Sequence, residues 1–271
     1  MRTLAHISDL HFGRTDPAVI EPLLRRLAEI GPDLVAVSGD LTQRARAGQF
    51  EEARAFLDRL PARRLVVPGN HDVPLYRVWE RFLSPLGKYR RYIDPDLEPA
   101  FVDEEIAVLG VNTARSLTFK GGRINEEQIE SLRRRLQALP ESLTKVIVTH
   151  HPFDIPEEPG NDELVGRADE AMAAFADCGV DVLLSGHFHT SRAGETSRRH
   201  PLAGYAALAV QAGTATSTRG RGEANAFNVL RVEHDAVALE LNAWRPEAER
   251  FAVERTERFR REKQRWVEVA A

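Results

Sequence analysis

With 271 residues, 42% hydrophobic and 29% charged, the chain has the length and composition of one or two ordinary globular domains, which excludes collagen-like, mucin-like and intrinsically disordered classes. Its 37 basic and 41 acidic residues leave a net charge of −4, which argues against a protein built to wrap duplex DNA and against a stable nucleic-acid partner. A single cysteine, Cys178, rules out a disulfide scaffold or thiolate cluster and fits a reducing, cytoplasmic setting; with neither a secretory h-region after Met1 nor an apolar run of membrane-spanning length, a soluble protein is expected.

In chain order, short apolar runs alternate with segments of helical period, the pattern of βαβ units around a mostly parallel sheet. Residues 4–8 read as the first strand. Asp16 then offers an N-cap ahead of Pro17, opening a helix that carries Ile20, Leu23, Leu24 and Leu27 and stops at Gly31-Pro32. Residues 34–38 form the second strand, Phe50, Ala53, Leu57 and Leu60 predict an amphipathic helix ending at Pro61, and residues 65–67 form the third strand.

Residues 74–124 break this rhythm with aromatics, prolines and Arg90-Arg91, and are read as a small cap or insertion that includes a hairpin of 101–102 with 106–111. Asn125, with Gln128 three positions on, caps a helix whose stripe is Ile129, Leu132, Leu136 and Leu139. Strands at 146–148 and 182–184 follow. From Gly204 the period becomes two, with 227–229 and 237–241 flanking a His234-Asp235 turn, so 204–271 is a mainly antiparallel completion and tail of one domain spanning 1–271.

The polar residues of metal-ligand type all follow strand ends. Asp9 and His11 come after the first strand, Asp40 after the second, Asn70 and His71 after the third, His150 and His151 after 146–148, and His187 and His189 after 182–184. In open α/β sheets ligands bind beyond the carboxyl ends of the strands, so five loops deliver carboxylate, carboxamide and imidazole to one rim. Gly39, Gly69 and Gly186 precede these residues and are expected to supply sharp turns and positive φ. Oxygen and imidazole donors without thiolate suit Mn, Fe or Zn better than an all-oxygen calcium site or a soft copper site.

The series Asp9-Leu10-His11, Gly39-Asp40, Gly69-Asn70-His71-Asp72, His150 and Gly186-His187-Phe188-His189 resembles the motif set of the calcineurin-like metallophosphoesterases. The opening His6-Ile7-Ser8-Asp9-Leu10-His11 is most similar to bacterial class III cyclic-nucleotide phosphodiesterases. The resemblance covers residues 9 to 189 and implies an α/β fold, a four-layer αββα sandwich, with a dinuclear centre of two divalent or mixed-valence ions. It places Asp9, His11, Asp40 and His189 around one ion and Asp40, Asn70, His150 and His187 around the other, with Asp40 bridging. It also implies a bridging hydroxide attacking phosphorus in line, and His71 beside the phosphate as general acid or electrostatic donor.

Arg44 matches an arginine of the protein-phosphatase pattern, yet Gln43 and Ala45 depart from that pattern's Asp and Gly, and Asp72 stands where those enzymes have glutamate. Arg44 and His151 are candidate substrate-binding residues, each with a plainer reading as a solvated arginine and a satisfied loop histidine. His6 reads as a hydrogen-bonded core residue, His200 and His234 as surface, and Cys178 as packing. Arginines outnumber lysines 33 to 4, and Arg192, Arg198, Arg199, Arg219 and Arg221 cluster after the last motif, either as an anion-receiving loop or, more plainly, a solvated charged face. Phe251, Val253, Phe259 and Trp266 in the tail pack on their own domain or form an oligomer contact, so a dimer stays open.

The expected activity is metal-dependent phosphodiester hydrolysis, with 3′,5′-cyclic nucleotides as the leading substrate class. Counting Arg44 as the one arginine in the motif loops with such a precedent, diesters are expected over monoesters. The rivals are a nuclease, a nucleotide-linked lipid pyrophosphohydrolase that would use Leu75, Trp79, Phe82, Leu83 and Leu86 as an apolar cap, though a buried amphipathic helix explains those residues as well, and a non-enzymatic scaffold.

Overall fold

A computed structural model describes residues 1–117, 121–155, 164–196, 200, 202, 204–219 and 222–269. The first half runs β1 (Arg2–Ile7), α1 (Pro17–Ile30), β2 (Leu34–Ser38), α2 (Ala47–Leu57), β3 (Arg63–Val67), α3 (Val78–Leu83), α4 (Gly87–Tyr92), β4 (Ala100–Val102), β5 (Ile106–Gly110) and α5 (Glu126–Gln137). The second half runs β6 (Thr144–Val148), α6 (Ala168–Cys178), β7 (Val182–His189), β8 (Arg192–Glu195), β9 (Tyr205–Ala206), β10 (Leu208–Gly213), β11 (Ala226–Val232), β12 (Ala236–Arg245), β13 (Arg250–Glu262) and β14 (Gln264–Val269).

The helix signals act as expected at both capped ends. The Asp16 carboxylate accepts from Ala18 N–H and Gly31 closes α1 in the left-handed region, while Asn125 and Gln128 form a reciprocal capping box on α5. Helix α2 stops at Leu57, a turn short of Pro61, and Leu60 packs at the edge of the core from the following turn.

Two sheets stack face to face. One has the order β3-β2-β1-β11-β12-β13-β14-β9 and the other β4-β5-β6-β7-β10-β8. Leu4, Leu34, Leu65 and Val67 of the first meet Ile106, Val146, Val148 and Leu184 of the second in a dry layer. Val19, Leu23 and Phe50 of α1 and α2 cover the outer face of the first sheet, and Leu132, Leu136 and Phe175 of α5 and α6 cover that of the second. This is the αββα sandwich, with three apolar layers between four layers of structure.

The stretch 74–124 is not all cap. β5 is buried along its length and pairs in parallel with β6, so the expected hairpin is an edge of the second sheet and not part of a cap. Nor is α3 a buried amphipathic helix: Tyr76, Trp79 and Leu83 are 77%, 80% and 78% exposed, while Leu86 is buried. The tail packs on its own domain through buried Phe251, Phe259 and Trp266, as β13 and β14 extend the first sheet. His200 is buried rather than on the surface, its Nε2 3.1 Å from the Phe153 carbonyl and its Nδ1 3.1 Å from Asp169. Among the described residues no helix is long and apolar enough to cross a membrane.

Candidate metal centre

Along the inner face of the first sheet the side chains turn from apolar to polar toward the carboxyl rim. Leu4 is followed by His6 and Ser8, and Leu34 and Ala36 by Ser38, all buried. His6 Nε2 lies 2.8 Å from Ser38 Oγ, and burial pushes its pKa down to about 3, so it is a neutral core histidine. The loops beyond β1 and β2 run side by side, with His11 N–H donating to the Asp40 carbonyl (2.9 Å) and Phe12 N–H to that of Leu41 (2.8 Å).

Each carboxylate is held by one oxygen and aimed with the other. Asp9 Oδ2 accepts from Ser8 Oγ (2.6 Å) and from His187 N–H (3.0 Å). Its buried Oδ1 has no hydrogen-bond donor and lies 3.5 Å from His11 Nε2 and 3.3 Å from His189 Nε2. Asp40 faces two ways: Oδ2 is 3.7 Å from His11 Nε2, and Oδ1 is 3.3 Å from His150 Nε2. His150 Nδ1 sits 2.8 Å from the Ser38 carbonyl, which fixes the proton there and turns Nε2 inward, 3.1 Å from Asn70 Oδ1 and 3.4 Å from His187 Nδ1. The structure thus brings Asp9, His11, Asp40 and His189 together, and Asp40, Asn70, His150 and His187 together beside them.

Two features show that these residues fit metal ions. Ring nitrogens face one another at 3.3 Å (His11 with His189) and 3.4 Å (His150 with His187), with a donorless carboxylate oxygen between the first pair; a cation answers all of these acceptors at once. The electrostatics agree. Burial opposes ionisation of Asp9 and Asp40, but the imidazoles around them hold both carboxyls below the usual carboxylate range. Burial likewise opposes charging of His150, yet Asp40 outweighs it and raises that imidazole to about 9, so the carboxylate favours positive charge at this position. His187, buried beside His150, falls to about 3.

The backbone is bent to achieve this. Of nine non-glycine residues with positive φ among those described, five are Asp9, His11, Asp40, His187 and His189, at 54°, 50°, 51°, 78° and 61°. Of the three motif glycines Gly39, Gly69 and Gly186, only Gly39 takes the expected positive φ, at 83°. Gly69 and Gly186 are needed for room: a Cβ on Gly69 would lie 2.2 Å from Asp40 Oδ1, and one on Gly186 would lie 1.9 Å from Ser8 Oγ and 2.6 Å from Asp9 Oδ2.

His71 sits at the mouth, its backbone N–H donating to Asp40 Oδ1 at 2.8 Å. Arginine only donates, so the 3.0 Å contact from Arg219 makes His71 Nε2 the acceptor; Nδ1 then carries the proton and donates to the Gln43 carbonyl at 2.9 Å, much nearer than the 3.4 Å to Arg44 Nη1 on the same nitrogen. Burial lowers the His71 pKa, in keeping with a neutral ring. Arg44 donates to the same carbonyl at 3.2 Å and lies over Tyr76. His151 is buried with Nδ1 2.8 Å from Thr113 Oγ1 and offers a ring nitrogen to the group of His150 and His187.

Two further residues, Asp72 and Arg219, belong to the site. Asp72 is buried and gathers Gly69, Leu41 and Thr42 N–H, clamping the second and third loops together; burial and the nearby Asp40 raise it to about 6. Its position in the third motif was the available signal. Arg219 belongs to the site instead of a solvated face, while Arg198, Arg199 and Arg221 lie outside the described residues.

Comparison with known proteins agrees with this geometry. The 3′,5′-cyclic adenosine monophosphate phosphodiesterase CpdA of Escherichia coli K12 is 27% identical over 163 residues, 58% of this chain and 54% of that protein. A Synechococcus protein named as a probable cyclic nucleotide phosphodiesterase is 26% identical over 161 residues, 55% of this chain and 58% of that one. The chain therefore spans about half the length of these relatives. Among solved structures, purple acid phosphatase PPD1 from yellow lupin superposes with a TM-score of 0.71 at 11% identity, covering 97% of this chain and 54% of that one. A dimetal phosphatase from Danio rerio gives 0.66 at 14%, covering 89% and 96%; at these identities the likeness is one of fold. The calcineurin-like phosphoesterase profile matches residues 2–191, a span holding every converging side chain from Asp9 to His189, and the chain belongs to that family.

Proposed function

We propose that this protein is a metal-dependent phosphodiesterase with a binuclear centre and 3′,5′-cyclic nucleotides as its leading substrate class. The observation that carries the binuclear reading is Asp40, whose two oxygens face different imidazoles at 3.7 and 3.3 Å, so that one carboxylate serves both ligand sets. Two ions of the Mn, Fe or Zn type would polarise a phosphoryl oxygen and bring a water toward hydroxide near neutral pH. The cyclic-nucleotide assignment is supported by the printed names of the two relatives.

The chain's own residues do the positioning. Asp9 Oδ2 and His150 Nδ1 are tied to protein groups, so their other atoms point at the centre without further ordering. When water adds to phosphorus and the ester P–O bond breaks, the water gives up a proton and the departing oxygen takes one up; His71 is the group proposed to stand at that oxygen, passing on a proton once Nε2, an acceptor from Arg219 in this structure, has gained it. Arg44 and His151 flank the phosphoryl position as substrate contacts.

A second reading is favoured by the segment leading into α3. Tyr76, adjoining Arg44, lines with Pro74, Leu75, Arg77 and Lys88 a groove of about 420 Å³, suited to a phosphodiester that carries both negative charge and a bulky apolar substituent. The test is a screen of metal-reconstituted protein against cyclic AMP, model mono- and diesters, nucleic acid and a nucleotide-linked lipid. Turnover of cyclic AMP to AMP is expected; turnover of the lipid alone would transfer the assignment to the second reading, and no turnover of any ester would refute the hydrolase.

A further inference from the structure

Arg219 is separated from His71 by 148 positions in sequence, yet its guanidinium reaches 3.0 Å from the imidazole. It is set there by a segment stapled to the first motif loop. Thr214 Oγ1 and Thr216 Oγ1 donate to the Asp9 and Leu10 carbonyls, each at 2.7 Å, and Thr218 N–H donates to the Arg14 carbonyl at 3.1 Å. The backbone N–H of Arg219 is itself bonded to Ser217 Oγ at 3.1 Å. This segment and the ligand Asp9 therefore move as one piece.

Neither Arg219 nor Arg44 has a carboxylate partner among the described residues. Arg44 has the Gln43 carbonyl, and Arg219 has a neutral imidazole nitrogen. Half-buried guanidinium groups left with neutral acceptors are poorly compensated, and a phosphoryl oxygen is a far better acceptor, because charge-assisted bonds are roughly twice as strong as neutral ones. The imidazole that Arg219 touches is itself held by its backbone N–H to Asp40 Oδ1 at 2.8 Å, so the guanidinium stands one side chain from the centre; burial weakens its hold on the proton and Asp40 opposes this, without bringing an arginine near neutrality.

Resting on the hydrolytic reading for the identity of the reacting group, we propose that Arg219 is a phosphoryl-binding residue, forming with Arg44 a guanidinium pair that receives the non-bridging oxygens beside His71 and favours phosphoryl groups carrying two negative charges. A diester arrives with one negative charge and leaves as a monoester with two, so the pair acts on charge that appears as the reaction proceeds. The site is then better suited to monoester dianions than the motif loops alone imply, because Arg219 brings a second guanidinium beside Arg44.

The test uses metal-loaded protein and two independent readouts. In Arg219→Gln, affinity for inorganic phosphate measured by calorimetry should fall about tenfold or more with metal content unchanged, and Arg44→Gln should shift it in the same direction. In the same variant kcat/KM should fall for both model esters, by about tenfold more for nitrophenyl phosphate than for bis(nitrophenyl) phosphate, with partial recovery in Arg219→Lys. Unchanged phosphate affinity in Arg219→Gln, or equal losses on both esters accompanied by metal loss, would overturn the proposal. Phosphate binding that depends on Arg219 in a protein turning over neither ester would uphold it while refuting the hydrolytic reading.

Discussion

If the centre is binuclear as proposed, removing the carboxylate of Asp40 should cost the protein both ions, because Asp40 is the one residue shared by the two proposed ligand sets, with Oδ2 toward His11 and Oδ1 toward His150. The size of the effect can be read by heat. An ion at one hundred times its dissociation constant stabilises the folded state by about 2.7 kcal/mol per site. At about 2.1 cal/mol/K per residue, a chain of 271 residues unfolds with an entropy of about 0.57 kcal/mol/K, so each filled site raises Tm by about 5 °C. Wild type should gain about 10 °C between chelator and saturating Mn²⁺. His11→Ala, which removes a nitrogen near Asp9 and Asp40 Oδ2 alone, should keep about half of that gain, and Asp40→Ala almost none. Differential scanning fluorimetry with elemental analysis reads both quantities, and circular dichroism of the metal-free proteins checks that the fold is intact. If folded Asp40→Ala retains two tightly held ions and normal turnover, the shared-carboxylate assignment is wrong.

Three further outcomes are expected. His71→Ala should keep both ions and lose about 10²- to 10⁴-fold in rate, with a smaller loss for nitrophenolate than for alkoxide leaving groups if the imidazole delivers a proton; equal losses would favour a purely electrostatic role. Gly186→Ala should cost about 1–3 kcal/mol and lower metal occupancy, since the new methyl group meets Ser8 Oγ at 1.9 Å and Asp9 Oδ2 at 2.6 Å; unchanged melting and metal content would show that the close approach is not needed. His6, held neutral with a pKa of about 3, binds fewer protons folded than unfolded, so its contribution to stability is complete above pH 6.5 and is lost as pH falls toward 3. Between pH 6.5 and 5 the metal-free protein should lose about 2 kcal/mol on this account in urea unfolding, and a slope in His6→Gln as steep as in wild type would contradict it.

What could be read before the structure was whatever the chain encodes locally. Asp16-Pro17 and Gly31 bound α1 because a cap and a left-handed residue act over three or four positions, and Asp9, His11, Asp40, Asn70 and His150 could be paired with strand ends because they follow their strands by two to four residues, whereas β7 runs on past the expected 182–184 and holds His187 and His189 within its last residues. Position in the sheet was less legible. The run 106–110 looks like half of a surface hairpin, yet its pairing with β6, more than thirty residues on, makes it part of the core. His200 has a polar, turn-like neighbourhood in sequence, and only its approach to Phe153 and Asp169 reveals it as buried. Arg219 escaped for the same reason: charge composition marks it as solvated, whereas threonine bonds from β10's exit to the first loop carry it to His71.

The strain at the centre explains why so much of the surrounding framework is apolar and regular. Non-glycine residues in the left-handed region cost on the order of 1–3 kcal/mol each, and five of the proposed ligands adopt it. Two buried carboxylates within reach of each other's imidazoles add to that cost when no ion is bound. Such an arrangement persists only if the strands leading into it are over-determined, and they are. Buried Leu4, Leu34, Val146 and Val182 anchor four of the strands in the layer between the sheets, and the loops beyond are cross-linked by Asp72 and by Thr214 and Thr216. Holding ligands in a costly geometry before an ion or substrate arrives means that neither must reorganise the chain on binding. The polarity change along β1 and β2, from Leu4 to Ser8 and from Leu34 to Ser38, is the sequence expression of that division: the same inner faces that secure the sandwich at one end present the chemistry at the other.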